Sequence, residues 1–274
     1  MALLDITGLR IAFPGRPPLL AVDGLSLTVQ AGQTTALVGE SGCGKTVSAL
    51  AVLGLVPPPG RVLGGRIDFE GRDVAGLPPR ALRHLRGAAI GLVPQDPLAA
   101  LNPVHTVGAQ VAEAVRAHRP VSRAVAWRMA VEALGAVGLP AAAQRAHDYP
   151  HQLSGGQRQR VMIAMAVVLE PRLLIADEPT TALDVSVQAQ ILDLLRGLQT
   201  ERGMGLLLIT HDLGVVAEMA DAVTVMRAGR VVEQADVKSL FAQPRAAYTR
   251  GLLAAVPRLD GRRERLATVE ADHA

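Results

Sequence analysis

The sequence is poor in aromatics, cysteine and lysine. Aromatic residues make up 2% of the 274-residue chain, which leaves few flat faces on which nucleic-acid bases could stack. Lys45 and Lys238 are the only lysines, so arginine carries nearly all of the positive charge. A net charge of +3 without basic clusters interleaved with aromatics argues against a nucleic-acid partner. Cys43 is the single cysteine, which excludes an intrachain disulfide. No apolar run approaches the length a membrane helix needs, about 18–20 residues. The opening Met1-Ala2-Leu3-Leu4-Asp5 lacks the basic start and apolar core of a signal peptide. Together these absences imply a chain that is soluble, or held at a membrane only through a partner. Its core must be built from Ala, Val and Leu, and its length suits one large domain or a domain with a subdomain.

Against that background one stretch stands out. Gly39-Glu40-Ser41-Gly42-Cys43-Gly44-Lys45-Thr46 fits G-x-x-x-x-G-K-[ST] at every fixed position. The β-prone Thr34–Val38 precedes it, and Val47–Leu53 predicts a buried helix after it. Glycines let successive backbone N–H groups turn towards one anion, and the helix N-terminus adds partial positive charge. In such a loop Lys45 reaches the β- and γ-phosphates of a nucleotide and the Thr46 hydroxyl ligates Mg²⁺. An ordinary glycine-rich turn would need neither the lysine nor the hydroxyl.

Along the rest of the chain, apolar strands alternate with amphipathic helices, which predicts an α/β fold with a mainly parallel central sheet. Leu25–Val29 alternates apolar and polar residues as a half-buried strand does. Gly65–Gly71 reads as a strand and turn. Ala89–Val93, Leu173–Ala176 and Leu206–Thr210 read as buried strands. Helices are expected from about Arg158 to Leu169, from Val185 to Leu198 and over Ala246–Ala255. Residues 107–146 change character: Val121, Val125, Met129 and Ala133 recur at helical spacing, opposite Arg128 and Glu132. This predicts a helical insertion with Trp127 either in its core or facing a partner. Phe13 either stacks on an adenine ring or sits in the core, and spacing does not choose between them.

Ligands of parallel α/β sheets gather at the carboxyl ends of strands. Gly39, Gln95, Asp177, Glu178 and His211 all follow apolar strands directly. Asp177 suits Mg²⁺ held with Thr46. Glu178 can orient an attacking water and accept its proton. His211 can sense a γ-phosphate through a hydrogen bond, and the Gln95 amide can reach Mg²⁺ or the water. Ser154-Gly155-Gly156-Gln157 opening a helix is a second anion-binding shape, with a plain helix cap as the alternative. A second such element implies either a second ligand or a neighbour's nucleotide.

With these residues in place, the chain resembles the ATP-binding cassette (ABC) ATPases over nearly its whole length. Gly39–Thr46 is similar to the Walker A loop, Gln95 to the Q-loop and Leu153–Gln157 to the family signature. Leu173–Glu178 is similar to Walker B with the catalytic glutamate, Ala182-Leu183-Asp184 to the D-loop and His211 to the switch histidine. Phe13 falls where the family's adenine-stacking aromatic lies. The resemblance implies a P-loop NTPase core over residues 1–256, with an N-terminal antiparallel β subdomain and a helical signature subdomain at about 98–160. A charged, flexible tail is expected over 257–274. ATP and Mg²⁺ are the implied ligands. Glu178, His211 and Gln95 are the implied catalytic residues, and Thr46, Asp177 and Gln95 the implied metal contacts. Nucleotide contacts would come from Phe13, Gly39, Glu40, Ser41, Gly42, Cys43, Gly44, Lys45 and Thr46. Ser154, Gly155, Gly156, Gln157 and Asp184 would add theirs across a head-to-tail dimer of ATPase subunits.

Gln95-Asp96-Pro97 with Leu101-Asn102-Pro103, Tyr149–Ser154, Ala176–Asp184 and Pro244…Tyr248-Thr249 before Leu252-Leu253 resemble the peptide/nickel importer subfamily. That implies two integral membrane permease subunits, a solute-binding protein acting through them, and a peripheral location on the cytoplasmic face of the inner membrane. Many peptide-importing relatives carry a cysteine-rich C-terminal segment. No cysteine lies beyond Cys43 here, so that segment is expected to be absent, which weakens the assignment to oligopeptides in particular and leaves nickel, metal–chelate or other small solutes open. The rival is an accessory ATPase of a soluble enzyme complex of the phosphonate-degrading kind. The Gln95–Pro103 stretch, which faces the membrane subunit in importers, favours transport. Cys43 within the loop is expected to be alkylated by thiol reagents, and protected by ATP.

Overall fold

A computed structural model describes residues 2–181 and 183–255. The expected tail at 257–274, and Ala182 of the D-loop stretch, lie outside the described residues. The strands are β1 (Leu4–Phe13), β2 (Leu19–Val29), β3 (Thr34–Val38), β4 (Arg61–Phe69), β5 (Arg72–Asp73), β6 (Ile90–Val93), β7 (Leu173–Asp177), β8 (Gly205–Thr210), β9 (Ala222–Arg227) and β10 (Arg230–Asp236). They form two sheets. An antiparallel four-stranded sheet has the order β2-β1-β4-β5, and a six-stranded sheet has the order β10-β9-β3-β8-β7-β6. In the second sheet only β10 runs antiparallel to its neighbour.

Alternation of side chains across a strand explains why the central strands are apolar throughout. Leu174, Ala176, Leu206 and Leu208 pack on one side with the helices Gly155–Val167 and Val185–Arg202. Leu173, Ile175, Leu207 and Ile209 pack on the other, against Ile6, Leu9, Ile11 and Leu27 of the antiparallel sheet and Ala49 and Val52 of the helix Lys45–Val52. That helix lies between the two sheets, and its C-terminal carbonyls need donors. Backbone N–H groups of Leu53, Gly54 and Leu55 reach the Leu50 and Ala51 carbonyls, and just past the helix Arg86 donates from Nε to the Leu53 carbonyl at 2.7 Å and from Nη2 to the Gly54 carbonyl at 3.1 Å. A cation there also complements the helix dipole.

Between β6 and β7 the described residues form helices only, including Val107–His118, Arg123–Ala136 and Gly155–Val167. The helix Arg123–Ala136 does not bury the expected stripe. Ala126, Ala130 and Leu134 are fully buried, whereas Val125, Met129 and Ala133 flank them half-buried. The buried face is turned by one residue because alanines sit where the helix Val107–His118 approaches, and a close approach needs small side chains. Arg128 and Glu132 are exposed, as expected, and pair at 3.8 Å. Trp127 packs on the same core and tilts against the His147 ring, centroids 4.8 Å apart. Leu134→Ala should therefore cost about 2–5 kcal/mol of stability, and Val125→Ala about 1 kcal/mol or less. Denaturant titration of both variants checks this, and the reverse order would restore the original stripe.

Candidate active site

β6, β7, β8 and β3 are consecutive in the central sheet, and neighbouring strands are about 4.8 Å apart. Their carboxyl ends therefore bring Gln95, Asp177 and Glu178, His211, and Gly39 to one edge. A cavity of about 420 Å³ is lined there by Gly39, Glu40, Ser41, Gln95, Glu178 and His211, with Val38, Leu213 and Leu252 as an apolar wall. An adjoining cavity of about 230 Å³ is lined by Ser41, Gly42, Gly44, Lys45 and Thr46, and again by Gln95 and Glu178.

The loop between β3 and the helix Lys45–Val52 forms the floor of the smaller cavity. Gly44 has φ +105°, in the left-handed region, and a Cβ there would strike the Ala21 carbonyl oxygen. Lys45 is buried, and its Nζ donates to the Gly39 carbonyl at 2.7 Å and the Glu40 carbonyl at 2.8 Å. The ammonium thus ties the loop together and stays beside the phosphate position. Cys43 turns the other way. Its thiol packs in the core behind the loop, against Gly39, and lines neither cavity. Burial pushes the thiol's pKa up, with the nearby Lys45 charge pulling it partly back.

Asp177 closes β7 at 4% exposure, and its Oδ1 has no hydrogen-bond partner among the described residues. Burial raises its pKa; Thr46 and Lys45 oppose that rise and Glu178 adds to it. A buried, unpartnered carboxylate oxygen beside a threonine hydroxyl is the donor set a hard divalent cation takes. Glu178 follows with φ +46°, a conformation that costs a non-glycine residue about 1–3 kcal/mol. Its N–H donates to the Ile209 carbonyl at 2.8 Å, so β8 holds it in place. Its Oε2 accepts from Gln95 Nε2 at 3.0 Å and from Thr181 Oγ1 at 2.9 Å, and lies 3.3 Å from His211 Nδ1. Gln95 and His211 are thereby joined to the carboxylate itself. Thr181 was not expected here, although it lies within the Ala176–Asp184 stretch that carried the resemblance.

The signature residues are not brought to this edge. Ser154–Gln157 line neither cavity. Ser154 Oγ accepts from the Gln157 N–H at 3.4 Å, and Gln157 Oε1 accepts from the Ser154 N–H at 3.0 Å, a reciprocal helix cap. Gly156 is needed because a Cβ there would meet Val187 Cγ1 at 2.5 Å. Asp184 caps the helix Val185–Arg202, accepting from Ser186 Oγ at 2.7 Å and the Val187 N–H at 3.0 Å, and these bonds hold its pKa down. Phe13 ends β1 with its ring against Gly60 and the sheet core, outside both cavities.

A phosphate loop, a buried aspartate and a restrained glutamate on four adjacent strand ends are the layout of a nucleotide-hydrolysing site, and comparison with known proteins says of which kind. The family model described as ABC transporter matches residues 22–181. The chain belongs to the ABC transporter family. A second model, described as the C-terminal region of oligopeptide/dipeptide transporters, matches residues 232–273 of this ABC ATPase. The dipeptide transport ATP-binding protein of Escherichia coli is 47% identical over 270 residues, covering 98% of this chain and 83% of that protein. The oligopeptide transport ATP-binding protein of Mycobacterium tuberculosis is 52% identical over 260 residues, covering 94% of this chain and 42% of that protein. Among solved structures, a dimeric ATP-binding cassette in a post-hydrolysis state with ADP and Pi is 26% identical with a TM-score of 0.75, covering 85% of this chain and 98% of that one. The ABC ATPase fold and ATP hydrolysis follow for this chain.

The orientation of Cys43 revises the alkylation expectation, because a buried thiol with a raised pKa offers little thiolate. Native protein should react slowly with iodoacetamide at neutral pH, at a rate indifferent to ATP, and rapidly once unfolded. Fast native labelling that ATP blocks would place the thiol in the cavity instead.

Proposed function

We propose that this ABC ATPase is the ATP-hydrolysing subunit of a peptide importer, acting on the cytoplasmic face of the membrane beneath two integral permease subunits. What carries this reading is the match of residues 232–273 to the C-terminal region of oligopeptide/dipeptide transporters. That match supports peptides over nickel or other solutes, despite the lack of cysteines beyond Cys43. The Gln95–Pro103 stretch supports a permease partner, since Leu98 and Val104, at its edge, are 63% and 71% exposed and exposed apolar side chains mark contact surfaces. No helix among the described residues is long and apolar enough to cross a membrane, so the chain would rely on that partner. A solute-binding protein would deliver peptide from outside.

In the cycle we infer, the N–H groups of Gly39–Thr46 and the Lys45 ammonium hold the β- and γ-phosphates. Phe13, whose ring lies outside both cavities, would contact an adenine that projects beyond them. Asp177 and Thr46, with Gln95, would hold Mg²⁺, which when bound supplies positive charge to the phosphate oxygens. Glu178 orients the attacking water and accepts its proton. A neutral imidazole carries a single N–H. If His211 donates it to Glu178, it cannot also donate to a γ-phosphate without becoming protonated or releasing the carboxylate. We take release as the step that frees Glu178 for the water when a γ-phosphate arrives. Ser154–Gln157 and Asp184, which line neither cavity of their own chain, would close the site of a second ATPase subunit. Contacts made only while the γ-phosphate is intact bias that closure.

Removing the base without changing its size tests this reading. In the transporter reconstituted in vesicles, Glu178→Gln should bind ATP normally while hydrolysis falls by about 10²–10⁴-fold and peptide uptake stops. Near-normal hydrolysis would remove Glu178 from its role, and hydrolysis lost with uptake intact would uncouple this subunit from import.

A further inference from the structure

The cycle above leaves one docked element unused. The helix Ala247–Ala255 is tied to the body of the protein at its start: Glu233 of β10 accepts from the Arg245 N–H at 2.8 Å and the Ala246 N–H at 3.0 Å. Its next residue inward, Tyr248, is 7% exposed and packs in the cluster that contains Ala36 and Val38 of β3, the strand that leads into the phosphate loop. The Arg227 guanidinium lies 5.0 Å from the ring centroid, which pins the ring's other face. The buried Tyr248 hydroxyl has no hydrogen-bond partner among the described residues, and Glu40 of the phosphate loop is close enough to influence its proton. Burial pushes its pKa up to about 12, so it stays neutral. Lys45 donates to the Glu40 carbonyl. Glu40 is thus tied to the ammonium and neighbours the tyrosine. One helical turn further, Leu252 reaches the wall of the larger cavity beside Gln95, Glu178 and His211.

We propose that this helix is a working part of the ATP site, with Tyr248 a positioning residue that props the phosphate loop at Glu40 and Leu252 a positioning residue that walls the Glu178 side. The proposal rests on the ATP-site assignment made above. It gives the C-terminal region a direct route to hydrolysis, because residues 232–273 include the tether, the prop and the wall. Two residues on one face of one helix then act on different steps. Loss of the Tyr248 ring leaves a void behind the loop, spreads its N–H groups and weakens phosphate binding. A polar side chain at Leu252 lets extra water in beside Glu178 and slows turnover, while the loop keeps its grip.

The test is steady-state ATP hydrolysis by the full-length chain in the assembled transporter, with the thermal midpoint followed in parallel. Tyr248→Leu should raise KM for ATP by about tenfold with kcat little changed, since small misplacements of binding groups carry effects of this order or larger. Tyr248→Phe should restore KM to within about twofold of the parent, because the ring is the prop. Leu252→Gln should lower kcat by about tenfold at nearly constant KM. If Tyr248→Leu and Leu252→Gln shift KM, kcat and thermal midpoint together, the helix is only structural and the proposal fails. If both behave as the parent, it fails as well. Lys45→Ala separates this failure from that of the ATP site: loss of ATP binding upholds the site whatever the helix variants do, whereas unchanged binding would overturn both.

Discussion

Val38 pairs with Thr210, and Asp177 pairs with Ile209, in adjoining parallel ladders. The site depends on this register. It sets the phosphate loop, the buried aspartate, the glutamate and the histidine at one edge, although they come from segments far apart in the chain. A shift of β7 by one residue would turn Asp177 to the opposite face of the sheet. The same shift would carry Glu178 away from the Ile209 carbonyl that holds its strained backbone. The core opposes a slip from both sides, because every residue of β7 and β8 is buried and a new register would have to repack both faces.

Upon that frame, the Glu178 carboxylate, proposed as the catalytic base, is held by convergence. Gln95 from the β6 end, Thr181 from the turn after β7 and His211 from the β8 end all meet Glu178 Oε2. Three groups on one oxygen fix its direction and link its freedom to whatever competes for them. The helices between β6 and β7 begin just beyond Gln95, so one side chain joins the start of that layer to the carboxylate. Ser154 and its glycines cap a helix in that layer and line neither cavity of their own loop. Within one chain, Ser154–Gln157 line neither cavity beside the phosphate loop, and we propose that this separation makes hydrolysis a property of an assembly.

Much of this was legible in the sequence. The runs Leu173–Ala176 and Leu206–Thr210 can be little other than doubly buried strands, and polar residues placed directly after them fall at the ligand-binding edge of a parallel sheet. Gly39–Thr46 carries its own geometry. Other features depend on contacts that no local pattern encodes. Tyr248 and Leu252 lie more than 200 residues beyond the phosphate loop in the chain, and nothing in their spacing points to the site. The inward turn of Cys43 follows from the loop's conformation and not from its composition. In Arg123–Ala136, alanines fill both the buried face and its flanks, so polarity could not tell one from the other. The membership of β4 in the antiparallel sheet is set by β1, and its own alternation is silent about its partner.

The central claim is that this chain carries two halves of two different ATP sites. Turnover per bound ATP, measured as the full-length chain is titrated with its ATPase partner and permease subunits, tests it most directly. Stoichiometric ATP binding by the isolated monomer with turnover that appears only on assembly is the predicted result. Full turnover by a dilute monomer, unchanged by assembly, would contradict the account.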